Sequence, residues 1–250
     1  MTEHRWNRLT APDLRDLALR DAVVLLPVGS TEQHGAHLPT GVDDFLAAEV
    51  CRRAAVAAAP LPVVVAPSVS CGLAEHHMPF GGTLTLSLPT FHALLRDMCR
   101  SILRAGFRRI LLVNGHGGNV TALHALVNEL TVELQAPIAV TSYFTAGREV
   151  IADTLETQRH LMHACEGETS MALAAFPDLV HTEEVAGAVG PAISLQAGDT
   201  SPVHRSVTFD TVTPSGTAGD ARTASAAKGE RLLEGCADAL AELLTAGVWS

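Results

Sequence analysis

The stretch AVVLLPVGSTEQHGAHLPTGVDD, residues 22–44, decides the fold, because an apolar run ends there in a loop crowded with ionisable side chains. The run 22–28 has the length and composition of a strand buried on both faces. The next sixteen residues, 29–44, hold one glutamate, two histidines and two aspartates. In open α/β sheets, ligands bind beyond the carboxyl ends of the strands. The stretch therefore predicts a binding site at the end of a central strand.

Composition limits the classes of protein that this chain can form. Its 250 residues suffice for one α/β domain, and we expect a single domain over residues 1–250. The chain is 47% hydrophobic, but its uninterrupted apolar runs are far shorter than the roughly 18 residues of a membrane span. Residues 1–21 carry charge throughout and lack the apolar centre of an export signal, which predicts a cytoplasmic protein without a membrane partner.

Charge and cysteine usage exclude two further classes. The net charge of −10 comes without a basic stripe, so we do not expect nucleic acid as a partner. The five cysteines are scattered and form no CxxC pair, which argues against a disulfide framework and a cysteine-based zinc site. Twelve histidines are many for this length, and several stand beside acidic residues. This pattern indicates metal binding.

Along the chain, apolar runs alternate with amphipathic stretches, which is typical of parallel strands joined by crossover helices. We predict strands at 22–28, 63–67, 110–114 and 138–143. Helices are expected over 45–59, around 91–103, over 120–134 with Asn119 as its cap, and around 232–244. Residues 187–219 are rich in Gly, Pro, Ser and Thr and lack periodicity, so we interpret them as a long, functional excursion.

The loop after the first strand offers three candidate metal ligands. Glu32 and His34 are two residues apart, so in an extended segment their side chains project from the same face. Asp43 precedes the next predicted helix and could equally serve only as its N-cap. For each residue alone, a structural role competes with metal binding.

Two further segments strengthen the metal hypothesis. The glycines of NGHGGN, residues 114–119, allow a sharp turn that leaves His116 uncovered, and the segment lacks the patterns of a phosphate loop. In HACEGETS, residues 163–170, His163, Glu166 and Glu168 precede a predicted helix, although Glu168 or Thr169 could merely favour its N-terminus. All these clusters lie at strand exits or helix entries, so we expect them to converge.

Mixed carboxylate and imidazole ligands without thiolate suit Zn²⁺, Mn²⁺ or Fe²⁺. One carboxylate shared by two ions would set them about 3.5–4 Å apart and activate a water molecule as a nucleophile. A short, preformed loop that holds two such cations would explain why these side chains are crowded together.

Five motifs together resemble the creatininase (creatinine amidohydrolase) family, in order and over nearly the whole chain. They are GSTEQHGAHLP at 29–39, EHHMPFGGTLTL at 75–86, NGHGGN, HACEGETS, and GTAGDARTASAAKGERL at 216–232. The resemblance implies a three-layer α/β/α sandwich with a mostly parallel sheet, two divalent ions, hydrolysis of an amide C–N bond, and a homohexamer. Family members also include formamide hydrolases and the mycofactocin-type peptidase that releases a C-terminal dipeptide, which leaves the substrate open.

The resemblance also assigns ligands. It implies that Asp43 bridges the ions, that Glu32 and His116 bind one of them, and that His34 binds the other. Where creatininase has a glutamate ligand, two residues after the loop histidine, this chain has Gly118.

Another carboxylate must then supply the fifth ligand. We expect Glu166 in this role, with Glu168 as the alternate ligand. His163 would shuttle a proton to the leaving nitrogen, and Glu168 is our second catalytic candidate.

The substrate-binding candidates lie in the adjoining loops and are Glu75, His76, Gly117 and Gly118. Creatininase itself places tryptophans around its substrate ring, whereas the tryptophans here, Trp6 and Trp249, stand near the termini. This departure argues against creatinine as the natural substrate. A non-catalytic family member that binds a small metabolite is the alternative from another class.

Overall fold

The computed structural model describes residues 3–193 and 206–249 and is built around a four-stranded parallel sheet. Its strands are β1 (Val23–Val28), β2 (Val63–Val65), β3 (Arg109–Asn114) and β4 (Ile138–Ser142), in the order β2-β1-β3-β4. All four predicted strands are confirmed, with ends shifted by at most two residues.

Alternate residues of the strands enter two separate apolar layers. Val23 and Leu25 of β1 pack on one face of the sheet, and Val24 and Leu26 pack on the other, all fully buried. Because both faces of every strand are covered, the strands need no polar alternation. The predicted three-layer α/β/α sandwich is confirmed.

Eight α-helices are found in the described part of the chain. They are α1 (Ala11–Leu19), α2 (Val42–Ala57), α3 (Leu88–Arg104), α4 (Val120–Leu134), α5 (Tyr143–Ala146), α6 (Arg148–Thr154), α7 (Glu166–Ala175) and α8 (Ala226–Ala246). Helices α2, α7 and α8 contribute to the first apolar layer, and α1, α3 and α4 to the second. Within the described ranges, none of the helices is both long and apolar enough to span a membrane.

The strand order creates a crevice between β1 and β3. The chain passes from β1 outward to β2 and then returns to β3 on the other side of β1, which makes this the topological switch point. Both strands run in the same direction, with Val28 beside Asn114 at their carboxyl ends. The loops 29–41 and 115–119 therefore leave the sheet side by side.

The long excursion returns to this crevice. Residues 194–205 of the predicted segment 187–219 lie outside the described residues. Farther along, a short 3₁₀ helix, Phe209–Thr211, precedes a stretch in which the backbone NH of Ala218 donates to the carbonyl of His163 at 2.8 Å. The end of the excursion is thus fastened to a predicted site residue.

Candidate metal centre

Six ionisable side chains from four separate segments converge, almost entirely buried, at the carboxyl ends of β1 and β3. None exceeds 5% exposure, and they are Glu32, His34, Asp43, His116, His163 and Glu168. Burying so many ionisable groups is unfavourable unless they are paired or hold ions. The structure thus brings together most of the predicted ligand set.

Asp43 directs its two carboxylate oxygens at two different imidazoles. Oδ1 lies 3.2 Å from Nε2 of His34, and Oδ2 lies 3.0 Å from Nδ1 of His116. Asp43 does not cap a helix, because α2 begins at Val42 after Gly41 and Asp43 sits within its first turn. This is the arrangement that a carboxylate shared between two cations requires.

Glu32 reaches the same point from the loop after β1. Its Oε2 lies 3.1 Å from Nδ1 of His116, and its Oε1 lies 3.3 Å from Nε2 of His77 and 3.5 Å from Nδ1 of His163. Glu32 and Asp43 therefore approach the same nitrogen of His116.

Three histidines are oriented by backbone carbonyls. His34 Nδ1 lies 3.1 Å from the carbonyl of Glu32, and His116 Nε2 lies 3.1 Å from that of Leu73. Likewise, His163 Nε2 lies 2.7 Å from the carbonyl of Gln33. A carbonyl only accepts, so the facing nitrogens of His34 and His116 carry protons and their opposite nitrogens face the carboxylates, whereas Nε2 of His163 also lies 3.0 Å from Nε2 of Gln33. Metal-binding histidines are commonly held in this way.

Several polar atoms at the centre have no hydrogen-bond partner within the described residues. They include both carboxylate oxygens of Glu32, Oδ2 of Asp43 and Nε2 of His34. Lone pairs of nitrogen and oxygen that face one another at about 3 Å repel unless a cation lies between them. The donor set thus fits divalent metal ions with oxygen and nitrogen ligands.

The pKa values of the buried groups also indicate that the centre needs positive charge. Burial disfavours the charged imidazole of His34, yet the nearby carboxylate of Asp43 raises the pKa of His34 to about 9. Burial also raises the pKa of Glu32, against the opposing effect of His116. In the absence of metal, protons therefore supply the compensating charge, and metal ions would replace those protons.

Three overlapping groups of side chains bring ligand atoms within 4.8 Å of one another. They are Glu32, His34 and Asp43; His34, His163 and Glu168; and Glu32, His77 and His163. The groups share members, so they form one continuous cluster.

The structure separates Glu168 from Glu166. Glu168 lies in the cluster, where burial raises its pKa to about 8 and the backbone NH of Ala164 donates to its Oε2 at 2.6 Å. Glu166 is outside it, because its Oε1 pairs with Nζ of Lys228 at 2.5 Å. The structure therefore brings Glu168, and not Glu166, into the cluster of ionisable side chains.

The predicted substrate-binding residues occupy different depths around the centre. Glu75 is exposed, whereas the half-buried ring of His76 stacks on that of His116 at a centroid distance of 5.8 Å. Gly117 lines a small cavity beside the cluster, and Gly118 is exposed in the turn after His116.

The cavity beside the cluster combines acidic and apolar walls. Asp43, His163 and Glu168 border one part, and the backbone of Gly115 and Gly117 another. Apolar side chains complete the lining, namely Phe144, Leu161 and Met162.

Sequence reasoning placed His77 in a loop beside the crevice but missed two other neighbours of the centre, Gln33 and Phe209. Nε2 of Gln33 lies 2.9 Å from Nδ1 of His77 and 3.0 Å from the carbonyl of Gly216, to which it donates. The ring of Phe209 lies 4.5 Å from that of His77 and 5.0 Å from that of His163. Gln33 stands between the predicted ligands Glu32 and His34, so its proximity in sequence was the available signal. Nothing in the sequence pointed to Phe209.

Comparisons with known proteins point to one family. The family model described as "Creatininase: Creatinine amidohydrolase" matches residues 7–244. The mycofactocin precursor peptide peptidase of Mycolicibacterium smegmatis is 38% identical over 224 residues, covering 86% of this chain and 83% of that protein. The creatinine amidohydrolase of Pseudomonas putida is 31% identical over 244 residues, covering 91% and 90%.

Solved structures give the same result. The crystal structure of a creatinine amidohydrolase superposes with a TM-score of 0.85 at 28% sequence identity and covers 100% of both chains. Other similar structures are a manganese creatininase and a Zn–Zn form of a creatininase mutant.

Proposed function

The chain belongs to the creatininase family and is a metal-dependent hydrolase of C–N bonds, and from this premise we propose that it uses two divalent ions to cleave an amide. The observation that carries the proposal is the position of Asp43 between His34 and His116, with one oxygen directed at each. In this proposal Asp43 is the shared ligand.

The remaining side chains divide between the two ions. We assign Glu32 and His116 to one ion because they meet Asp43 on the side of its Oδ2. His34 and Glu168 belong to the other, on the side of Oδ1. When bound, such ions polarise the amide carbonyl and lower the pKa of water, whichever of Zn²⁺, Mn²⁺ or Fe²⁺ is native.

His163 is suited to moving a proton. Its Nδ1 faces the cluster, 3.5 Å from Oε1 of Glu32, while its Nε2 lies 2.7 Å from the carbonyl of Gln33. Nδ1 would accept a proton from the attacking water and return it to the leaving nitrogen. Burial and the neighbouring His34 and His77 hold the pKa of His163 well below its ordinary value, so the ring begins as the neutral base.

For the substrate, we favour a short peptide over creatinine. The peptidase of M. smegmatis shares more sequence with this chain than the P. putida creatinine amidohydrolase does, at 38% against 31% identity. A cyclic amide or a formamide is the second candidate, supported by the family match.

One experiment tests the proposal. Purified protein is stripped with chelator, reloaded separately with Zn²⁺, Mn²⁺ or Fe²⁺, and assayed on creatinine, formamides and short peptides, with metal content measured by elemental analysis. We expect two ions per subunit and metal-dependent hydrolysis of peptides. Bound metal with no hydrolysis of any amide would instead indicate a metabolite-binding family member. Activity that survives complete chelation would refute the proposal.

The assembly and location of the protein remain predictions. We propose a homo-oligomer, a hexamer by resemblance to the family, which light scattering coupled to gel filtration tests. Fractionation of the source cells tests the predicted cytoplasmic location.

A further inference from the structure

Asn119 does not perform the capping role that its position suggests. It is the residue before α4, but its side chain makes no hydrogen bond to the first turn of that helix. The side chain is fully buried and its amide is used elsewhere. Nδ2 donates to the carbonyl of Gly29 at 3.0 Å and approaches Oδ1 of Asn114 at 3.3 Å, while Oδ1 accepts from the backbone NH of Leu73 at 2.9 Å.

These bonds join three loops at the site. Gly29 begins the loop that carries Glu32 and His34, Leu73 belongs to the segment before the 3₁₀ helix Glu75–Phe80, and Asn119 ends the loop of His116. Because one planar amide satisfies partners in all three, it fixes their relative positions.

The contact to Leu73 reaches the metal centre directly. Asn119 holds the NH of Leu73, and the carbonyl of Leu73 accepts from Nε2 of His116 at 3.1 Å. Asn114 fixes the backbone of the same histidine, donating to the carbonyl of His116 at 2.7 Å and accepting from its NH at 3.1 Å. Asn119 thus supports both groups that orient His116.

The segment that contains Gly72 packs closely against the amide of Asn119. A Cβ at Gly72 would lie 2.6 Å from Oδ1 of Asn119 and 2.7 Å from the carbonyl of Gly29. Only glycine lets this segment approach the amide so closely.

We propose that Asn119 is a positioning residue that keeps the proton of His116 on Nε2 and aims Nδ1 at the ion shared with Glu32 and Asp43. The inference rests on the proposed metal centre. The Asn119 side chain acts through Leu73, without touching metal or substrate, and so sets the affinity for the ion at His116. The affinity for the ion at His34 depends far less on Asn119.

The test compares Asn119→Ala with Asn128→Ala, which removes an exposed asparagine from α4, the helix that Asn119 precedes. Each metal-free protein is titrated with Zn²⁺ against a chromophoric chelator, which resolves the two affinities. Loss of an outer-shell partner typically weakens metal binding about 10–100-fold. We expect that loss for one ion of Asn119→Ala, a change below about threefold for the other, and wild-type values for Asn128→Ala.

A second readout separates positioning from general destabilisation. In the zinc-loaded protein, ¹⁵N NMR reports which ring nitrogen of His116 carries the proton. We expect a single Nε2-protonated form in the wild type and a mixture or exchange in Asn119→Ala. Should that variant fail to fold, Gly72→Ala displaces the same amide from the other side and is held to the same expectations.

The possible failures are distinguishable. If the wild type binds two ions and Asn119→Ala binds both with unchanged affinity, the role of Asn119 is refuted and the metal centre stands. If the wild type binds no ions, the proposed function fails and this inference fails with it.

Discussion

Lys228 forms an ion pair with Glu166, with Nζ 2.5 Å from Oε1, and so fastens α8 to the start of α7. The other oxygen, Oε2, accepts from the backbone NH groups of Glu156 and Thr157 at 3.0 Å each. A carboxylate whose lone pairs are already filled gains little by turning towards a metal ion. Glu168, two residues farther on, is the carboxylate that faces the cluster.

The first prediction separates these two glutamates by isosteric substitution. Glu168→Gln is expected to lower the affinity of one ion by at least about tenfold, because a charged ligand is lost. Glu166→Gln should keep both ions but unfold more easily, by about 1–3 kcal/mol, because Lys228 loses a buried charged partner. Elemental analysis and denaturant unfolding measure the two effects, and the reverse pattern would return the ligand role to Glu166.

The second prediction concerns the shared carboxylate. Asp43→Ala removes a proposed ligand from each ion, so it is expected to lower the affinity for both ions and to abolish hydrolysis. The loss of affinity should exceed the roughly 10–100-fold that follows when a residue supporting a ligand is removed. Asp44→Ala, one residue farther along α2 and outside the ligand groups, is the matched control. If Asp43→Ala keeps both ions and its activity, Asp43 does not bridge the two ions.

The third prediction uses the glycine that replaces the glutamate ligand of creatininase. A Cβ at Gly118 would lie 2.4 Å from Nε2 of His116 and 2.6 Å from the carbonyl of Leu73, and so would force apart the bond between them. Gly118→Ala is therefore expected to weaken zinc binding about 10–100-fold, and Gly118→Glu should not restore a ligand. Gly187→Ala is the control, because its Cβ would contact nothing within 4 Å. Titration with zinc measures the affinity of each variant. Tight zinc binding by Gly118→Glu would contradict the prediction.

The fourth prediction concerns the pH dependence of stability, away from the metal centre. Burial opposes the ionisation of Glu49, but hydrogen bonds from Arg52 and Arg53 outweigh it and hold the pKa of Glu49 below its ordinary value of 4.5. Arg53 also pairs with Glu230, which ties α2 to α8. A lowered folded-state pKa means that the stabilisation is complete above about pH 4.5 and is lost as pH falls through the folded value.

We therefore expect Glu49→Gln to lower the free energy of unfolding at pH 7 by up to about 1 kcal/mol, the range of partly exposed ion pairs. The difference from the wild type should shrink as the pH falls below 4.5. Urea unfolding at a series of pH values measures it. A difference that grows towards acid would mean that the pKa of Glu49 is raised in the folded protein.

The sequence alone predicted the layers and most of the side chains that meet at the centre. Strands buried on both faces and helices with one apolar face are encoded by local composition and periodicity, and all four strands were predicted on that basis. Glu32, His34, Asp43 and His116 were predicted to converge because their segments follow strands whose carboxyl ends meet at one edge of the sheet, and all four are buried there.

Only the tertiary structure decided which way individual side chains point. Glu166 and Glu168 are two residues apart in one helix turn, so they lie on different faces, and which face meets the crevice depends on how α7 packs against α8. Asn119 stands at a capping position, yet its amide is drawn to Leu73 and Gly29, more than forty residues away in the chain. Local propensity carries no information about such partners, because their positions are fixed only when the layers pack together.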